Sequence, residues 1–233
     1  MIQDFNQRVA VITEVGSNIG RAFANYCAME KISVLLADDD QAVLGCAERE
    51  LQERGATVST LQVDLSKVGG AQALALIALD TYGHVDLFFN HADMFNSGGI
   101  DWESSYASNL WGMVQNLRVF VPIMLTQNVP CFIVNTAPLA GYLSFSPGVT
   151  CQVTEYATAG PTWIVTPKLA VMQNQPINSC KKSDEQAHAP HTGLYLFDGI
   201  QSSQPSCQTA GQIISTIAEV WSGSKLGKEP RPL

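Results

Sequence analysis

The feature that most constrains this chain is an alternation that starts at once and repeats. Arg8 to Thr13 (R-V-A-V-I-T) is a short apolar run rich in β-branched residues, followed by a glycine-containing turn and an amphipathic stretch from Arg21 to Met29. This reads as strand, turn and helix. The unit recurs: strands are expected at Ser33–Ala37, Thr57–Val63 and Val85–Asn90, with helices at Gln41–Arg54 and Lys67–Tyr82. A further helix is expected over Ser105–Met124 and a strand over Cys131–Asn135. Strands separated by helix-length segments cannot form hairpins, so they pair in parallel through right-handed crossovers. The expected fold class is α/β, a doubly wound parallel sheet between two helical layers.

Past Gly141 the pattern loosens. Gly160, Pro161 and Pro167 interrupt the next expected helix, because each proline removes a backbone donor. From Gln173 to Ser206 the chain is polar and punctuated by Pro176, Pro190, Gly193, Gly199 and Pro205, as a surface excursion around one short strand, Leu194–Phe197. A last helix is expected over Thr209–Trp221. We expect one domain over residues 1–222 and a loose tail over 223–233.

Composition narrows the partners. With 46% hydrophobic and 15% charged residues the chain can bury a full core. Its net charge of -8 disfavours nucleic acid and anionic membrane surfaces. A small-molecule ligand is expected, and a homo-oligomer is compatible. No apolar window approaches the roughly 18 residues that a membrane-crossing helix needs. The six cysteines have no paired spacing, which fits reduced thiols and a cytoplasmic location. Cys180, His188, His191 and Cys207 also lack the spacing of a zinc site, so no metal is expected.

Several short segments fall on these elements in a telling order: Thr13 to Gly20 (T-E-V-G-S-N-I-G), Ala37-Asp38, Asp64-Leu65-Ser66, Asn90 to Asp93 (N-H-A-D), Asn109 to Gly112 (N-L-W-G) and Ile133 to Gly141 (I-V-N-T-A-P-L-A-G). Together they resemble the short-chain dehydrogenase/reductase family from about residue 5 to residue 222. The resemblance implies a Rossmann-like fold. It also implies a nucleotide site in which Gly20 belongs to the first turn, Asp38 meets the adenosine ribose, Asp64 the adenine and Asn90 the following loop. These four are the cofactor-binding candidates if a nucleotide is retained, and Asp38 would then favour NAD over its phosphorylated form.

The departures from the family pattern point the other way. Glu14 and Asn18 replace two glycines of the first turn, and Glu14 brings a Cβ and a negative charge toward the phosphate path. Asp93 adds a second carboxylate. Pro138, Cys151 and Glu155 stand where the family carries its Ser, Tyr and Lys, while Asn109 matches the family's catalytic Asn. Lys181-Lys182 replaces a Pro-Gly turn. The sequence alone therefore leads to the expectation of a cofactor-independent, non-redox enzyme of isomerase, cyclase or lyase type, with Glu155, Cys151, Asn109 and Asp93 as catalytic candidates. Cys151 and Glu155, four apart, would share a helix face, and Glu155 could serve as acid or base. Two alternatives stay open: a non-catalytic module that binds a ligand or a protein, and a divergent NAD-dependent oxidoreductase with a differently supplied proton donor.

Overall fold

The structure is a computed structural model that describes residues 7–92, 102–127, 129, 131–136, 153, 154, 157 and 193–197. Six strands form one sheet, β1 (Val9–Thr13), β2 (Ser33–Asp38), β3 (Val58–Gln62), β4 (Leu87–Asn90), β5 (Phe132–Thr136) and β6 (Gly193–Phe197). All neighbours are parallel, in the order β3-β2-β1-β4-β5-β6. That order reverses direction between β1 and β4, and in such a sheet the crevice beyond the carboxyl ends of those two strands is where a ligand sits. The expected Rossmann-like, doubly wound α/β fold is what the chain forms.

Side-chain alternation along the strands feeds two separate cores. Ala10, Ile12, Phe89 and Val134 pack toward α1 (Asn18–Met29) and α2 (Gln41–Glu53). Val11, Phe88 and Ile133 pack on the other face toward α3 (Gly70–Tyr82) and α5 (Met113–Thr126). One aromatic stack pins each layer: Phe23 of α1 lies 4.2 Å from Phe89, and Phe120 of α5 lies 4.0 Å from Phe88, centroid to centroid. Since β1 is buried along its whole length, its five residues are apolar except the last, Thr13.

Element ends differ from the sequence expectation for identifiable reasons. Helix α1 begins at Asn18, ahead of the expected Arg21, because Ser17 caps it by accepting from the Gly20 N–H at 2.9 Å. Helix α3 begins at Gly70, behind the expected Lys67. Asp64 first holds Ser66 in a tight turn, and Gly69 then takes a left-handed φ of 90°. The helix expected from Ser105 starts earlier, as α4 (Trp102–Ser105), and runs through a π-helical segment at Tyr106–Gly112 before α5. The interrupted helix after Gly141, the helix expected over Thr209–Trp221 and the tail lie largely or wholly outside the described residues.

Candidate active site

The crevice is built from polar residues at the carboxyl ends of β1, β2, β4 and β5. Thr13 ends β1 and Asn90 ends β4, with His91 directly after it. Thr13 Oγ1 donates to the His91 carbonyl at 2.6 Å and accepts from the His91 N–H at 2.9 Å. The His91 ring meets the Thr136 hydroxyl through Nδ1 at 2.5 Å. Three strand ends are thereby tied together at the point where the strand order reverses. In the sequence His91 stands only as one letter of the N-H-A-D segment and Thr136 only as one of I-V-N-T-A-P-L-A-G, and nothing there signals their pairing across 45 residues.

The first turn is where the sequence reading needs correcting. Glu14, at the place of a family glycine, adopts a φ of 53°. That is the left-handed backbone a glycine would take there, held by a residue that pays about 1–2 kcal/mol for it. The turn therefore keeps its shape. Its carbonyl accepts from the Ser17 N–H at 3.1 Å, and helix α1 comes so close behind that a Cβ on Gly20 would fall 2.2 Å from the Glu14 carbonyl oxygen. Gly20 is thus required for close packing. The N–H groups of Asn18 and Ile19, in the first turn of α1, have no helical carbonyl to reach and lend the turn positive partial charge.

Asp38 is buried and aimed at this turn. Its Oδ2 accepts from the Gly16 N–H at 2.8 Å and its Oδ1 from the Asp40 N–H at 3.1 Å. An ionised carboxylate has about four acceptor sites, so two bonds leave capacity for ligand hydroxyls. The position of Gly16 serves the same closeness, since a Cβ there would lie 3.0 Å from Val43 and 3.1 Å from the Asp38 carboxylate. Asp39 and Asp40 follow, and no lysine or arginine occurs between Lys31 and Arg49. Burial, then the charge of Asp38, pushes the Asp39 carboxyl above its ordinary value.

The other candidates divide. Asp64 is exposed, accepts from the Ser66 N–H and hydroxyl at 2.9 and 2.5 Å, and lies 3.8 Å from Lys67 Nζ. Its present work is to hold a turn. Asn90 is buried between two other amides, donating to Asn135 Oδ1 at 2.8 Å and accepting from Asn116 Nδ2 at 2.8 Å, with a further bond to the Met113 carbonyl at 3.3 Å. It locks β4 to β5 and α5, and its side chain serves the sheet. Asn109 is buried within the π-helical segment, and its Nδ2 donates to Thr154 Oγ1 at 3.3 Å. Such segments recur at functional sites because they turn one side chain out of helical register. Asp93, Cys151, Glu155 and Pro138 lie outside the described residues, as do Lys181, Lys182 and the four residues weighed for zinc.

The donor set and the close-packed turn fit a nucleotide: an anionic acceptor for hydroxyls, a turn with no room for side chains at Gly16 and Gly20, and a helix N-terminus behind it. Glu14 is the one member of the turn whose charge opposes a phosphate.

Comparison with known proteins agrees with the geometry. The family model for short chain dehydrogenase matches residues 8–157. A CLA biosynthesis dehydrogenase/reductase of Lactiplantibacillus plantarum is 26% identical over 168 residues, 69% of this chain and 58% of the relative. A 1-deoxy-11-beta-hydroxypentalenate dehydrogenase of Streptomyces exfoliatus is 31% identical over 144 residues, 58% of this chain and 52% of the relative. The chain thus spans between half and three fifths of the length of these curated relatives. Among solved structures, a short chain dehydrogenase/reductase from Burkholderia phymatum in complex with NAD superposes with a TM-score of 0.70 at 30% identity, covering 96% of this chain and 82% of the other.

Two expectations are overturned by these findings. The chain's relatives are dehydrogenases and reductases, not isomerases, cyclases or lyases, and the solved structure at 30% identity holds NAD, which contradicts the expectation of no cofactor. The physical reason lies in the first turn: the Cβ and charge of Glu14 led to the expectation that the phosphate path is spoiled, whereas Glu14 holds a left-handed backbone and the turn stays closed against α1. On its residues, its strand order and its relatives, this chain belongs to the short-chain dehydrogenase family.

Proposed function

We propose that the chain is a divergent NAD-linked oxidoreductase that acts on a small alcohol or carbonyl compound. The observation that carries this reading is the preserved first turn, in which left-handed Glu14 and close-packed Gly20 leave Gly16 free to hold Asp38 at the mouth of the crevice. Asp38 would accept the adenosine ribose hydroxyls, and the α1 N-terminus would face the diphosphate. The string of Asp38, Asp39 and Asp40 would repel a ribose phosphate, so NAD is preferred to its phosphorylated form. When bound, the nicotinamide supplies hydride acceptance or donation.

The protein's own residues must then move one proton. In alcohol oxidation the hydroxyl proton leaves as the carbon loses hydride, and Glu155, in the place of the family's lysine, is the proposed acceptor. Asn109 positions it: the bond from Asn109 to Thr154 supports this, because it fixes the residue just before Glu155 against the π-helical segment. Cys151 would offer a weak S–H donor to the substrate oxygen, and Asp93 would border the ribose side of the pocket. Asp64 and Asn90 shape the pocket through the turn and the strands they hold.

Two coarser expectations enter the same proposal. The free thiols of Cys27, Cys46 and Cys131 among the described residues fit work in the cytosol. Exposed Trp102, Tyr106 and Trp111 on α4 and the π-helical segment fit a homo-oligomer through that helix.

The experiment is calorimetric titration of the wild type and Asp38→Asn with NAD and NADP, followed by nicotinamide absorbance assays over a panel of alcohols and carbonyls. Wild type is expected to bind NAD more tightly than NADP, and Asp38→Asn to lose about tenfold or more in NAD affinity, the scale of hydrogen bonds to a charged group. Absence of NAD binding would sink the proposal. Binding with no turnover of any substrate would remove its redox half.

A further inference from the structure

The turn at residues 63–66 joins two parts of the molecule that the proposed reaction needs, and two glycines on separate helices make the joint possible. The Val63 N–H donates to the Asp38 carbonyl at 2.8 Å, so the turn hangs from the strand end that carries the ribose-side carboxylate. Helix α3 closes on the Asp64 carbonyl oxygen, which would lie 2.6 Å from a Cβ on Gly70. The π-helical segment closes on the next carbonyl, since a Cβ on Gly112 would lie 3.2 Å from the Leu65 oxygen. Leu65 itself packs against the core that includes Met113 and Leu117. Within the turn, Asp64 accepts from the Ser66 N–H at 2.9 Å and its carbonyl from the Lys67 N–H at 3.2 Å. The segment that rests on Leu65 also carries Asn109, buried three positions before Gly112 and donating to Thr154 Oγ1 at 3.3 Å.

We propose that the contact between Leu65 and Gly112 couples the adenosine end of the nucleotide site to the segment that carries Asn109, with Gly112 as the positioning residue. The inference rests on the NAD-linked reading above. A ligand that engages Asp38 fixes the end of β2, and with it Val63 and the turn. At Gly112 the turn meets backbone with backbone, with no side chain between them to absorb a shift, so the constraint passes into the π-helical segment. A π-helical stretch is a rare conformation, and this one is held by what packs on it. Occupancy at the ribose side is thereby felt at Asn109, through packed groups that both ends of the site bias.

Amide hydrogen exchange of the wild type, free and saturated with ADP or NAD, tests this. ADP carries the adenosine and diphosphate of NAD and no nicotinamide, so its effect on residues 106–112 is not a nicotinamide contact. With ADP, exchange in residues 106–112 should slow about fivefold or more, the lower end of coupling between sites, while residues 118–126 farther along α5 change by less than about twofold. In Gly112→Ala the segment and the turn must part by a few tenths of an ångström. ADP should still slow exchange in residues 36–40 and 63–66 of that variant, and its effect on 106–112 should drop below about twofold. Gly45→Ala, in α2 with nothing within 4 Å of the added Cβ, should behave as wild type. If ADP protects only 36–40 and 63–66 of the wild type, or slows all of α5 equally as plain stabilisation by a ligand would, the coupling is wrong. If Gly112→Ala, folded by circular dichroism, keeps full protection of 106–112, the contact assigned is wrong and the inference falls. Should that variant not fold, the wild-type comparison decides. Failure of both ADP and NAD to bind overturns the NAD-linked reading and the inference with it; binding without protection of 106–112 overturns the inference alone.

Discussion

Asp86 offers the sharpest test of how this sheet separates support from function. Its carboxylate is fully buried at the amino-terminal edge, just before β4, where Oδ1 accepts from Arg8 Nη1 at 2.6 Å and Oδ2 from the Val9 N–H at 2.8 Å. His84 Nε2 lies 3.1 Å from Oδ2. In Asp86→Ala the buried Val9 N–H loses its carboxylate acceptor, a cost of about 1–3 kcal/mol. The Arg8 and His84 side chains are 34% and 39% exposed and can recover water, so their share is discounted. A net loss of about 3 kcal/mol follows, at the lower end of the range for breaking a buried ion pair. At about 2–4 °C per kcal/mol for a domain of this size, the melting temperature should fall by about 6–12 °C. Asp86→Asn keeps an acceptor for Val9 and should lose about half as much. Thermal melts give the first readout and NAD calorimetry the second, which should not change, because the crevice lies at the opposite ends of the same strands. A melting shift below about 2 °C, or a loss of NAD affinity in a variant that is still folded at the assay temperature, would refute the reasoning.

Two further outcomes follow from the first turn and its acidic flank. Gly20→Ala forces a Cβ against the Glu14 carbonyl oxygen, and should destabilise by about 1–3 kcal/mol and weaken NAD binding together, as thermal melts and titration will report. Asp39 has its carboxyl raised, by burial first and by Asp38 next. A group raised on folding favours the folded state when protonated, so its ionised form costs stability at neutral pH and that cost disappears as pH falls below its unfolded value. Asp39→Asn should therefore raise the melting temperature near pH 7, with the gain fading below about pH 4; a gain that persists in acid would contradict the cause assigned.

The strand and helix alternation was legible because burial on both faces demands apolar runs, and β1, β2, β4 and β5 each supply one. Strand limits came within a residue or two. The π-helical segment was not legible: it inserts one residue per turn without changing which residues are apolar, and only its carrier, Asn109, stood out by resemblance. Asn90 was legible as a motif residue but not as the middle of a chain of three amides, whose partners Asn116 and Asn135 lie 26 and 45 residues away. Glu14 shows the limit of motif reading most directly. The sequence shows that a glycine is gone; only the backbone shows that its conformation is not.

The distribution of buried polar groups explains why the crevice keeps its shape with Glu14 and Asn18 in place of two glycines. Each buried polar side chain needs partners, at a cost of about 1–3 kcal/mol when one is missing, so a sheet core carries few. Here Thr13, Asp38, Asn90, His91 and Asn135 are all buried at the carboxyl ends of neighbouring strands, while Asp86 holds the amino edge. The carboxyl-edge groups satisfy one another across strands: Thr13 with His91, Asn90 with Asn135, Asp38 with the Gly16 N–H. Such a network is cooperative and is not undone by a change in one loop residue. The shape of the crevice is therefore specified by the strand ends, and the first turn is held to that shape from behind by Gly20 and from beside by Asp38. A substitution in the turn can alter charge, as Glu14 does, while the scaffold continues to impose the conformation. The shape of the crevice consequently depends more on the polar residues that end its strands than on which residue stands at position 14, and substitution of Asn90 or Asn135 should damage the fold before it damages binding alone.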